Sequence, residues 1–334
     1  MKDHAIEYAA FGKQRYKSSK LTQIIVYVRL NLAKVHPKRE AMITTFDATI
    51  KELLHERLKA LEEYFGADVI FFYAQIQPGM ERFFRNFIEE LRQNNENHGN
   101  TCRLVIFLNT PGGSAETVEK LVEIIRFHYK EVYFVVPDAA MSAVTIFCMS
   151  GDKIYMDYSS SLGPIDPQVF NGTRFVPALG YLDQVEKLLE KAKANELTQA
   201  EFLILQNLDL AMLNQFEQVR NLTITLLKKW LVEYKFKDWT THETDPTKKG
   251  QRVTQVEKEK RAEEIASLLG DNKTWHSHGR MISLATLQTL VRLKIEDYSN
   301  DQGLRDKIRG YNDLLTDYIA RTNQQAFFHN RLFF

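Results

Sequence analysis

The sequence predicts an α/β protein with a mostly parallel sheet and covering helices. Three observations predict it. Short apolar runs at 104–108 (LVIFL), 132–136 (VYFVV) and 153–156 (KIYM) suit buried strands. Helical spacing separates them: Val118, Leu121, Val122 and Ile125 share one face, and 143–149 (AVTIFCM) reads as a buried helix. Turn-formers stand between strand and helix at Pro111-Gly112-Gly113 and Pro137-Asp138. Strand–helix alternation of this kind builds parallel sheets, because only a crossover returns the chain to run the same way.

Taken in order, the chain opens with a basic arm over 1–37. No Asp or Glu occurs between Tyr8 and Arg39, whereas Lys13, Arg15, Lys17, Lys20, Arg29 and Lys34 do. Val26, Val28, Leu30 and Leu32 alternate there as on a strand. The plain reading is a solvated strand and linker. A core over 38–235 follows. Ile43, Phe46, Ile50, Leu53, Leu54, Leu58 and Leu61 predict a helix that Gly66 stops. The run 68–74 (DVIFFYA) predicts a strand, 83–91 an amphipathic helix and 94–100 a polar loop. After the central stretch come a short edge segment at 175–178 and a helix over 181–193. Thr198 and Glu201 have capping-box spacing and open a helix expected to run to Leu231. A helical C-terminal extension over 236–334, packing on the core, completes the chain. It has a polar linker at 239–252, a capped helix from Thr254 to Gly270 and an apolar helix at 284–293.

The central stretch carries the chemistry. Gly112-Gly113 and the Ser142-led helix both follow strands, at the end where open α/β sheets place their sites. Gly113 has no side chain to shield its amide, and Ala143 stands in a first helical turn, where amides lack intrahelical partners. A serine oxygen flanked by such donors can attack a carbonyl while they hold the oxyanion; one donor is worth about 3 kcal/mol of barrier. The plain alternative for Ser142 is helix capping.

Three ordered blocks carry a resemblance: Thr110-Pro111-Gly112-Gly113, Ser142-Ala143-Val144-Thr145, and Leu162-Gly163-Pro164-Ile165-Asp166-Pro167-Gln168. They resemble the serine dehydrogenase proteinase (SDH) family of the Clp-protease/crotonase superfamily, related to signal peptide peptidase A. A fourth block, Trp275-His276-Ser277-His278-Gly279-Arg280-Met281-Ile282, is similar to another family segment. Val144 departs from the pattern, which has glycine there, and a branched side chain is expected to narrow the site.

The resemblance implies a Clp/crotonase-like fold and peptide hydrolysis through an acyl-enzyme on Ser142, with Gly113 and Ala143 as oxyanion hole. Gly112, Leu162 and Gly163 would present open backbone to an extended peptide. Clp-type relatives use a histidine soon after the serine helix, and 159–168 contains none. Signal peptide peptidase relatives use a lysine, a base at neutral pH once burial lowers its pKa. Lys187, flanked by Val185, Leu188 and Leu189, is the expected base of a Ser–Lys dyad. Lys191 is second and His278 an alternative, and the plain reading of the lysines is a charged helix face. Asp166 reads as a turn residue between two prolines. The resemblance also implies a homo-oligomer. Rival classes are a non-catalytic scaffold and an acyl-CoA enzyme.

Composition bounds partners and cofactors. Net charge is +1, so bulk charge points to neither nucleic acid nor membrane. The apolar runs are too short to span a bilayer and no signal peptide is expected. Cys102 and Cys148 read as buried thiols in a reducing cytoplasm. His276 and His278 lack further metal ligands at suitable spacing, and there is no G-x-G-x-x-G. No cofactor or metal is expected.

Overall fold

The computed structural model describes residues 44–93, 102–170, 175–243 and 247–334. The basic arm and the 94–100 loop lie outside them. Residues Phe46–Phe334 make one unit. In chain order the elements are α1 (Thr45–Phe65), β1 (Asp68–Tyr73), α2 (Glu81–Gln93), β2 (Arg103–Leu108) and α3 (Ala115–His128). Next come β3 (Glu131–Val135), β4 (Ala139–Ala140), α4 (Ala143–Met149), β5 (Lys153–Met156), β6 (Ser161–Leu162), β7 (Gln168–Phe170) and β8 (Phe175–Pro177). Helices α5 (Ala178–Lys193), α6 (Gln199–Gln206), α7 (Leu210–Trp230), α8 (Gln255–Gly270) and α9 (Asn272–Trp275) follow, with a π-turn at Leu231–Lys235 after α7. The last elements are β9 (Ile282–Ser283), α10 (Leu284–Thr289), β10 (Glu296–Asp297), α11 (Gln302–Thr322) and β11 (Phe327–His329).

The fold class is as the sequence predicts. One sheet has the order β10-β5-β3-β2-β1-β11, parallel throughout except where β11 pairs antiparallel with β1. The central strands β1, β2 and β3 are buried on both faces, so they read as apolar runs rather than alternations. One face, with Ile70, Phe72, Ile106, Leu108 and Phe134, packs against α2, α3, α4, α7 and α8. The other, with Val69, Phe71, Val105, Phe107 and Val135, packs against α1 and α11. A second sheet, β4-β6-β9, and a hairpin, β7-β8, complete the strands.

Several expectations change. The helix expected from Thr198 to Leu231 is two helices. The Thr198–Glu201 capping box forms, but the helix stops at Asn207, and Asp209 accepts from the amides of Ala211 and Met212 to start α7. A second cap inside an apolar pattern restarts the helix at a new angle. The apolar helix expected over 284–293 is only α10. The extension is mainly helical but also supplies β9, β10 and β11. Its largest element, α11, was not expected at all, although Leu304, Ile308, Tyr311, Leu315 and Ile319 line one face of it. Cys148 is buried as expected, whereas Cys102, just ahead of β2, is exposed.

Candidate active site

Four short segments lie side by side. Thr110 bridges Ala140 in parallel, Ala140 pairs Leu162 in parallel, and Leu162 pairs Ile282 antiparallel. Following each strand away from this row, the chain direction brings the four sequence blocks out on the same side. Gly112 and Gly113 follow Thr110, Ser142 follows Ala140, and Gly163 to Asp166 follow Leu162. His278 precedes Ile282, whose strand runs the other way. Adjacent strands are about 4.8 Å apart, so the paired residues Thr110, Leu162 and Ile282 lie within about 10 Å of Ala140 across the row.

Ser142 is held between two glycines. A Cβ on Gly112 would stand 2.8 Å from Ser142 Cβ, and one on Gly163 would stand 3.0 Å from Ser142 N. No other residue fits at either position without displacing the serine. The backbone of Ser142 has φ 57° and ψ −125°, a region an L-residue enters only under constraint. Ser142 occupies the N-cap position of α4, yet its side chain makes no capping bond. The plain reading of this serine therefore does not hold: the sharp turn presents the hydroxyl instead of spending it.

Thr145, wholly buried, fastens the turn. Its hydroxyl donates to Ala140 O (3.1 Å) and Gly163 O (2.8 Å), and accepts from Gly163 N at 3.0 Å. Thr145 belongs to the second sequence block, where nothing local marks this role. Val144 is also wholly buried, packed in the core beneath the sheet. It does not narrow the site, contrary to expectation.

The Gly-Gly turn is pinned from one side only. Ile76 N donates to Gly112 O (2.8 Å) and Ser114 N donates to Ile76 O (3.0 Å). In such a parallel bridge the flanking residues face the partner, so the N–H and C=O of Gly113 face away from Ile76. A Cβ on Gly113, where φ is 151°, would lie 1.9 Å from Ile76 O. Ser114 caps α3 as expected, accepting from Thr117 N at 3.0 Å. Ala143, nearly buried, is the first residue of α4 and carries one of its initial amides.

Leu162 and Gly163 correct the expectation of an open edge. β6 is flanked by β4 and β9, Leu162 is wholly buried, and Gly163 N bonds Thr145 Oγ1 and Ala140 O. Gly163 supports Ser142 rather than a substrate.

Asp166 is more than a turn residue. It is 2 % exposed, its Oδ1 lies 2.8 Å from His278 Nδ1, and its Oδ2 accepts from Gln168 Nε2 at 3.0 Å. An ionised carboxylate puts the imidazole proton on Nδ1 and leaves Nε2 as an acceptor. His278 is partly exposed, so that Nε2 is not sealed in the core. His276 is an exposed helix cap with φ 62°.

The lysines differ from expectation. Lys187 is solvent-exposed on α5, and its apolar neighbour Leu189 is itself 49 % exposed, so no described residue buries this side chain. Lys191 is exposed and pairs with the capping-box carboxylate of Glu201 at 2.5 Å. The amine that burial pulls down, to about 8, belongs to Lys235 in the π-turn. Lys235 interacts with Asp152 and Lys153, at the start of β5, the opposite end of the sheet from Ser142.

The chain is similar to several known proteins. Two uncharacterized proteins of Methanocaldococcus jannaschii are 31 % identical over 133 residues (40 % of this chain, 42 % of the relative) and 31 % identical over 64 residues (19 % and 22 %). The chain thus matches less than half the length of these curated relatives. Among solved structures, a mutant of the 1510-N membrane-bound stomatin-specific protease aligns over 72 % of this chain and 84 % of its own. The identity is 14 % and the TM-score 0.38. A second mutant of that protease, in complex with a substrate peptide, aligns over 38 % and 61 %, at 21 % identity and a TM-score of 0.27. The family model for ClpP-like SDH-type serine proteinases matches residues 88–272, which hold the Gly-Gly turn, the strained serine and Asp166. With more than half of its length inside that match, the chain belongs to the ClpP-like SDH-type serine proteinase family.

Proposed function

We propose that this protein is a serine endopeptidase that cleaves peptide bonds through an acyl-enzyme on Ser142. The observation that carries the proposal is the turn at Ser142: strained, wedged between two glycines, with its hydroxyl unused for capping. The peptide adds along the free side of Gly112-Gly113, main chain to main chain. Ser142 attacks the scissile carbonyl, and the amides of Gly113 and Ala143 hold the oxyanion.

Serine needs a base, and His278 is the one this chain's geometry supports best. Asp166 fixes the tautomer that leaves Nε2 to take the Ser142 proton and then hand it to the leaving amine. Water completes turnover, and the scheme requires no metal or cofactor. Lys187 is the second reading, as the base of a Ser–Lys dyad. What favours it is the exposed apolar run Phe202-Leu203-Ile204 on α6, with Leu189 and Leu210 on the adjoining helices. A second copy seated on that patch would desolvate the Lys187 amine, and a homo-oligomer belongs to the same reading. None of the described helices is long and apolar enough to cross a membrane. A cytoplasmic location fits the two free cysteines.

A fluorophosphonate probe tests the proposal. Wild type is expected to label at Ser142, and Ser142→Ala to lose both label and peptidase activity. Persistent silence of the wild type in its native assembly overturns the hydrolase reading in favour of a scaffold. Comparing His278→Gln with Lys187→Met decides the base. The true base variant loses about 100-fold or more in acylation rate, and the other keeps it.

A further inference from the structure

A cavity of about 420 Å³ opens where the sheet meets the last turns of α11. Tyr73, Asn109 and Asp138 line it from the strand ends, and Thr316, Asn323 and Gln324 are among its residues from the helix side. Its volume falls in the range of roughly 300–1,000 Å³ common for ligand sites. Two features give it a sign. Asp138 is exposed, and its Oδ2 is held by two carboxamides, Asn109 Nδ2 at 2.8 Å and Asn312 Nδ2 at 2.9 Å. The carboxylate is thereby fixed in place, with no lysine or arginine paired to it among the described residues. The second feature is the C-terminus of α11, which ends at Asn323 on the cavity wall. Helix C-termini carry partial negative charge and favour cations. The remaining side chains of the wall are neutral, and none is a lysine or arginine.

The cavity also adjoins the site. Asn109 immediately precedes Thr110 of the Gly-Gly block, and Asp138 stands four residues before Ser142. Four residues of extended chain span at most about 14 Å, so Asp138 on the cavity wall lies no further from Ser142 than about four residues of an extended peptide.

We infer that this cavity is a subsite for a basic side chain, a guanidinium or ammonium, of the peptide substrate. The inference rests on the peptidase reading above for the word substrate. The recognition chemistry is that of Asp138 and the α11 terminus, with the carboxamides and Thr316 supplying acceptors around the cation.

The test uses full-length Ser142→Ala protein, so that binding is read without turnover. Fluorescent peptides carry a single arginine walked along a Gly/Ala/Ser background, and a matched set carries citrulline, its neutral isostere. Anisotropy is expected to show one register at which arginine binds at least about five-fold tighter than citrulline. Asp138→Asn in the same protein brings that ratio to about one. Ala320→Lys, at an exposed position on the cavity wall that takes no part in holding Asp138, does the same by placing a rival cation. Equal affinities, or a ratio that survives both changes, overturn the inference. Free arginine amide binding as tightly as the peptide overturns the substrate assignment in favour of a small-cation site. Cleavage of the same peptides by wild type separates the two readings. Cleavage without arginine preference removes the subsite and leaves the hydrolase; preferential binding with no Ser142-dependent cleavage does the reverse.

Discussion

At the scale of single residues, the site is a compromise between strain and presentation. A serine at φ 57° and ψ −125° pays for its position with backbone energy, on the order of 1–3 kcal/mol. Glycine relieves that strain and alanine does not. Ser142→Gly and Ser142→Ala should therefore both abolish fluorophosphonate labelling, with the glycine variant about 1 kcal/mol more stable in urea denaturation. Equal stabilities would show that the turn is unstrained. Thr145 gives a second prediction. Thr145→Val removes a buried hydroxyl that joins Ala140 and Gly163, and leaves the amide of Gly163 with less support. A loss of about 2 kcal/mol and slower labelling of Ser142 are expected, with Thr145→Ser restoring both. The tight turn at Gly112-Gly113 and the helix start at Ser142 were legible because they are local features. The Asp166–His278 contact was not, because 112 residues separate the partners and only the β6–β9 pairing brings them together. For Lys187 the local pattern misled about burial alone. Its apolar sequence neighbours suggested burial, but on a helix they occupy another face, and one of them is half exposed.

At the scale of elements, α11 does the most that sequence reading missed. It lies beyond the residues that match the family, yet it braces two loops of the site. Arg309 donates to Asp157 Oδ2 from Nη2 (2.6 Å) and Nε (3.1 Å), and Asn312 donates to Asp138. Asp157 is wholly buried just ahead of β6. Burial disfavours its charge, but bonds from Ser159 and Arg309 outweigh this and hold its carboxyl below the usual range. Arg309→Met leaves that carboxylate with the serine bonds alone. A loss of about 3 kcal/mol in chemical denaturation is expected, together with reduced labelling of Ser142, because the loop ahead of β6 loses its brace. A variant of wild-type stability would mean that the pair is screened by solvent. Strands β1, β2, β3 and β5 of the main sheet were readable as apolar runs, whereas β10 and β11 were not. The two-residue strands β4, β6 and β9 were not. Each is too short to show a period, and they exist because neighbouring segments pair.

At the scale of the whole molecule, the chain closes on itself through its C-terminus. β11 pairs with the β1 edge, and Arg331, just beyond it, reaches Glu62 Oε1 (2.7 Å) and Asp68 Oδ1 (2.8 Å) near the opposite end of α1 and the start of β1. This closure contains two imidazoles. His329 on β11 is wholly buried, with its Nδ1 2.7 Å from the Tyr311 hydroxyl of α11, and stacks on His55 of α1 at 5.3 Å between ring centroids. Burial, with His55 and Lys51 nearby, pulls the pKa of His329 down to about 3, and burial together with Lys51 lowers that of His55. The unfolded chain binds protons at these sites as pH falls through about 6.5, while folded His329 stays neutral until about 3. More protons are then bound by the unfolded state, so stability is whole above about pH 6.5 and declines below it, by up to about 1.4 kcal/mol per pH unit from one histidine. Glu62, whose carboxyl burial raises, works in the opposite sense as it takes up a proton. A difference measurement isolates the histidine. The urea midpoint of wild type should fall between pH 6.5 and 4.5 more steeply than that of His329→Gln, which retains a hydrogen-bonding side chain but cannot titrate. Parallel slopes for the two proteins would show that His329 takes up its proton within the folded chain. The C-terminal closure would then yield to acid without unfolding the sheet.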